Sequence, residues 1–100
     1  MSAPPPAQEV LSEAAVPRLA NGTRLQYEPA QQSWVLLFPE GLVRLNDSAA
    51  EILRRCDGVR DIAALIEDLR ASCGDPPGLG EDVLGFFAFA RGRGWLELAC

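Results

Sequence analysis

The chain has 100 residues, 14 carboxylates against 9 basic groups, a net charge of −5, three cysteines and no histidine. One domain is all this length supports, and a folded part of that size buries only ~60% of its unfolded surface, with little room for an enclosed active site. The missing histidine excludes Ser-His-Asp and Cys-His catalysis and every His-containing zinc site. The acidic balance argues against nucleic acid and points to a protein or peptide partner.

Cys56, Cys73 and Cys100 are odd in number and show no C-x-x-C spacing, so neither a disulfide framework nor a metal or iron–sulfur site is expected, and no cofactor. No apolar run approaches the ~18 residues of a membrane span, and the N-terminus lacks the basic start of a signal peptide. These features predict a cytoplasmic protein that does not enter a membrane.

Residues 1–17 carry Pro4, Pro5, Pro6 and Pro17 among alanines and read as a flexible tail, with residues 18–100 as the folded domain. From Leu19, Leu25 and Tyr27 alternate with Arg24, Gln26 and Glu28, the period of a half-buried strand. After a turn at 29–32, Ser33 to Phe38 is apolar on both faces and reads as a central strand. A second turn at Pro39, Glu40 and Gly41 leads to a short third strand, Leu42 to Leu45, completing an antiparallel meander.

Asn46, Asp47 and Ser48 are all N-cap residues, and Ser48 with Glu51 has capping-box spacing. The first helix then carries the stripe Ala49, Ile52, Leu53 and Cys56 and ends at Gly58. Asp61 caps a second helix with the stripe Ile62, Leu65, Ile66 and Leu69, broken by the segment from Gly74 to Gly78. A third helix from about Glu81 runs to Gly92, and Trp95, Leu96 and Leu98 close the chain as a short strand or an apolar cap. The expected fold is α+β, a three-stranded meander followed by three helices, winged-helix-like.

Two features stand out. The third helix carries more apolar surface than one stripe needs: Val83, Phe86, Phe87 and Ala90 suffice for the core, which leaves Phe89, with Gly85 and Arg93, to line a groove or a dimer contact. The third strand is an edge, either open to an added peptide strand or covered by the tail or by residues 95–98. The adjacent acids Glu67-Asp68 and Glu81-Asp82 do not face each other on a helix and read as solvated, and Cys56, on an apolar stripe, reads as core filler.

The combination Pro17-Arg18-Leu19, L-L-F-P-E at 36–40, L-N at 45–46, Ser48, Ala49, Ile52 and Leu53, C-D-G at 56–58, Asp82-Val83 and G-W-L at 94–96 resembles the PqqD family. The likeness spans about residues 17 to 98; its one departure, Asp61 where relatives often carry threonine, keeps a capping residue. It implies a non-catalytic peptide chaperone of pyrroloquinoline quinone biosynthesis. Such a protein binds the precursor peptide PqqA and presents it to the radical S-adenosylmethionine enzyme PqqE, which joins a glutamate and a tyrosine of that peptide. In related recognition elements the peptide adds beside the third strand and packs on the third helix. Carried onto this chain, the groove is Leu42, Val43, Arg44 and Leu45 against Phe86, Phe89 and Arg93. Val43 and Leu45 are expected to serve backbone pairing and pockets, Arg44 an acidic peptide side chain, and the others the wall. The alternatives are a winged-helix DNA binder or a general interaction domain, and Glu67 and Asp68 on the second helix weigh against DNA. Exposed edges and surplus phenylalanine also permit a homodimer.

Overall fold

The computed structural model describes residues 11–99. Their elements in chain order are β1 (Val16–Leu19), β2 (Arg24–Glu28), β3 (Ser33–Phe38), β4 (Gly41–Arg44), α1 (Asp47–Leu53), α2 (Ile62–Cys73), α3 (Leu79–Gly92) and β5 (Leu96–Ala99). The meander is present as β2-β3-β4, and the three expected helices follow it.

The expected picture lacks a second sheet, which the structure adds: β1 pairs antiparallel with β5, Val16 opposite Ala99 and Leu19 opposite Leu96. An ion pair of Arg18 with Glu97 at 2.5 Å spans this ribbon, and Pro17 is among the most deeply buried side chains. The segment before β1 is also engaged. Ile62 and Ala63 donate their N–H groups to the carbonyls of Ala15 and Glu13, both at 2.9 Å, and Asp61 Oδ1 takes the N–H of Ala64 at 2.9 Å. These partners satisfy the orphan donors that open α2. Residues 13–17, read from the sequence as tail, are thus held against α2 and β5, while residues 1–10 and Cys100 lie outside the described residues.

The first helix differs from its expected form. Its N-cap is Asn46, whose Oδ1 accepts from the Ala49 N–H at 2.8 Å, in place of the Ser48–Glu51 box. It ends at Leu53, short of Gly58, because the following chain turns to meet β1. Asp57 bridges Arg18, and Gly58, at φ +76°, donates its N–H to Pro17. Cys56 therefore lies past the helix, half-buried, and Ala50 replaces Ala49 among the buried residues of α1. On α2 the stripe is as read, with Ile62, Leu65, Ile66 and Leu69 all buried.

The meander sets one face on the helices. Cross-strand partners share a face, and the register Leu25–Leu36–Val43 places these with Trp34, Phe38 and Leu45 toward the core. Leu36, Leu53, Ile62, Leu65, Val83 and Phe87 are fully buried at its centre. Arg24, Gln26, Glu28, Ser33, Leu42 and Arg44 fall on the opposite face with Val35, which is buried outside the main cluster. Arg55 ties α1 to α2, donating to Asp68 Oδ2 at 2.5 Å and to the Glu51 carboxylate and carbonyl, both at 2.7 Å.

Candidate functional site: a strand edge beside an apolar groove

β4 pairs only with β3 among the described residues, since the last strand is taken up by β1. The edge was expected to be open or covered by the tail or by residues 95–98, and residues 95–98 do not cover it. Beside it runs a groove of about 420 Å³ between β4, α1 and α3. Val43, Arg44 and Leu45 line one side and Phe86 and Phe89 the other, with Trp95 and Ile52 completing the apolar lining.

Five of the seven expected site residues therefore meet in one groove, and two do not line it. Leu42 is 62% exposed on the solvent face of the sheet. Arg93 stands past the end of α3, its guanidinium over the Phe89 ring at 5.1 Å from the centroid, and lines a neighbouring cleft with Pro39 and Glu40 of the β3–β4 turn. Sequence reasoning missed Trp95, Ile52 and Asp82 as lining residues. Asp82 follows Leu79 by three positions and precedes Phe86 and Phe89 by four and seven, so helical spacing could have placed it on the same face.

The hydrogen-bond pattern also redistributes roles along β4. Leu45 donates its N–H to the Trp34 carbonyl at 2.9 Å, which fixes the phase of the ladder. In antiparallel pairing main-chain groups alternate between the partner strand and the outside. Gly41, Val43 and Leu45 are thus spent on β3, and the outward N–H and C=O groups belong to Leu42 and Arg44. The free main-chain groups of the edge are those of Leu42 and Arg44, so the backbone role expected of Val43 and Leu45 falls to their neighbours, while the expected pocket role of Val43 and Leu45 agrees with their place in the groove lining. The Arg44 side chain crosses the outer face and donates from Nε to Ser33 Oγ at 3.2 Å.

Charge is distributed along the groove by the antiparallel run of α3 past β4. Arg93 sits at the end nearest the β3–β4 turn, and Asp82 sits where the groove meets Ser48 and Asn46 at the start of α1. A second groove of about 430 Å³ adjoins it there, sharing Ser48, Ile52 and Asp82, and carries Asp47 and Glu51 on its rim.

The Cys56 thiol, which does not line the groove, is poorly suited to nucleophilic chemistry. Burial pushes the Cys56 thiol up to about 12, with the Asp57 carboxylate adding to the shift, so it holds no thiolate near neutral pH. Among the described residues no helix is long and apolar enough to cross a membrane.

Comparison with known proteins agrees with this geometry. The model of the family described as coenzyme PQQ synthesis protein D (PqqD) matches residues 33–96. A "PqqA binding protein" of Pseudomonas aeruginosa (strain UCBPP-PA14) is 51% identical over 84 residues, covering 84% of this chain and 91% of the relative. A protein of the same name from Azotobacter vinelandii is 53% identical over 83 residues, covering 83% of this chain and 90% of its own. Among solved structures, the PqqD truncation of Methylobacterium extorquens PqqCD, a functional stand-alone recognition element for ribosomally synthesised and modified peptides, superposes with a TM-score of 0.72 at 31% identity. The superposition covers 86% of this chain and 93% of that one. On sequence, fold and family match together, the chain belongs to the PqqD family.

Proposed function

We propose that this chain binds the precursor peptide PqqA by strand addition and presents it to the radical S-adenosylmethionine enzyme PqqE, making and breaking no bond itself. The observation that carries the reading is the juxtaposition of the open β4 edge with the Val43, Leu45, Phe86 and Phe89 groove. Main-chain groups of Leu42 and Arg44 supply sequence-independent affinity, and the groove supplies specificity by accepting alternate side chains of the added strand. The Pseudomonas and Azotobacter relatives, each named as a PqqA binding protein, support PqqA as the ligand.

Presentation then follows from effective concentration. A peptide held on this scaffold meets a docked enzyme as an intramolecular neighbour, so a weak encounter becomes a local one. Arg44 at the strand edge and Arg93 in the adjoining cleft are the cations offered to an acidic peptide side chain.

The test is a titration of isotope-labelled protein with synthetic PqqA, with and without PqqE. Binding at or below tens of micromolar, with amide shifts concentrated on Leu42, Arg44 and α3, supports the reading. An absence of binding alone and with the enzyme overturns it, and shifts confined to α2 on adding duplex DNA would favour the winged-helix alternative.

A further inference from the structure

The meander has a second open edge. β2 pairs only with β3 among the described residues, and its sequence is Arg24-Leu25-Gln26-Tyr27-Glu28. The same ladder phase that frees Leu42 and Arg44 on β4 decides which groups this edge offers. Trp34, Leu36 and Phe38 direct their main-chain groups to β4, so Ser33, Val35 and Leu37 direct theirs to β2, where they meet Glu28, Gln26 and Arg24. The N–H and C=O of Leu25 and Tyr27 therefore point outward.

We propose that the β2 edge is a self-association surface, on which a second copy of this chain pairs antiparallel about a two-fold axis through Gln26. That register satisfies every outward group. Leu25 lies opposite Tyr27 of the partner subunit and Tyr27 opposite the partner's Leu25, each pair exchanging two main-chain hydrogen bonds. Arg24 then lies opposite Glu28 of the partner subunit, and Glu28 opposite the partner's Arg24, at the closer, non-bonded positions of the ladder.

Charge is what selects a second copy over other strands. An edge defended against its own kind carries charges of one sign, which repel when two copies meet. Here the signs are opposite and symmetric about Gln26, so self-pairing in this register converts the defence into two attractive pairs. On the core-facing side, Tyr27 is 44% exposed while its ring already contacts Trp34 edge-on at 5.4 Å, and the partner's Leu25 would cover it. Pairing through β2 merges two meanders into one six-stranded sheet and leaves both β4 edges at its outer ends.

Two five-residue strands bury less than the ~1,000 Å² of a stable interface, so the association is weak and concentration-dependent. Sedimentation velocity on the full chain, from about 5 to about 500 µM, reads it directly. The expected result is a monomer–dimer equilibrium in the wild type, weakened about tenfold or more in E28R and in R24E, where like charges face each other twice. The double exchange R24E/E28R restores it, since each arginine again meets a glutamate. A wild type that stays monomeric throughout overturns the proposal, as does a dimer indifferent to either single exchange or a double exchange that fails to recover association. Far-UV circular dichroism confirms that each exposed-site variant is folded.

Discussion

The ring of Phe89 meets the indole of Trp95 edge-on, with centroids 5.6 Å apart, and the Arg93 guanidinium lies over the same ring. A side chain 51% exposed in the free protein is thereby held in one place by an aromatic neighbour and a cation, preset as a wall. Ordering it costs little when a ligand arrives.

Truncating that wall separates binding from folding. F89A should cost about 1 kcal/mol of stability, the size of one aromatic pair at a half-exposed site, and about tenfold or more in peptide affinity. Urea unfolding and peptide titration of the same preparation measure both. An unchanged affinity in a variant that remains folded would remove Phe89 from the binding surface.

The alternation along β4 predicts opposite consequences for adjacent prolines. L42P removes an N–H that points to solvent, so the hairpin stays folded while peptide affinity drops about tenfold. V43P removes an N–H directed at β3 and should cost about 1–3 kcal/mol, visible as a lower urea midpoint. If the two variants behaved alike, the assigned ladder phase would be wrong.

Acid should loosen the joint between α1 and α2. The hydrogen bond from Arg55 holds the Asp68 carboxyl below its ordinary value of 3.8, with burial opposing and the charges of Arg55 and Arg60 assisting. A carboxyl lowered on folding stabilises the native state fully above the ordinary carboxylate range and loses that contribution as pH falls through its depressed value. The Tm gap between wild type and D68N should therefore be constant from about pH 7 to about pH 5 and close below about pH 4. A gap that widens on acidification would contradict the sign.

Thiol labelling should distinguish two cysteines. At pH 8 an alkylating reagent should modify the exposed Cys73 and spare Cys56, whose thiol is pushed up to about 12, until denaturant is added. Peptide mapping by mass spectrometry reads the two sites separately, and labelling of native Cys56 at the rate of Cys73 would show that it is not shielded.

Local signals were legible and distant ones were not. Asp61 and the four-residue stripe behind it announced α2 because cap and periodicity lie within one segment. α1 was left open at its start and misjudged at its end, for different reasons. Three capping residues in a row left the choice of Asn46 to tertiary packing, and the early stop at Leu53 depends on Asp57 and Gly58 meeting β1, some forty residues away. The β1–β5 ribbon joins segments nearly eighty residues apart and includes Pro17, which reads locally as tail. At the site, the helix was visible as surplus apolar surface and the strand as an edge. The roles of individual β4 residues were not, because a slip of one residue exchanges inward for outward groups and only the β3–β4 register fixes it.

The ribbon also closes the domain like a clasp. Because Val16 lies opposite Ala99, the first strand begins where the last one ends, and neither strand shares a residue with the β4 edge. A module arranged this way can be spliced before or after another protein, or permuted by joining its ends, with its recognition surface unobstructed. The closing strands make the recognition element portable between architectures.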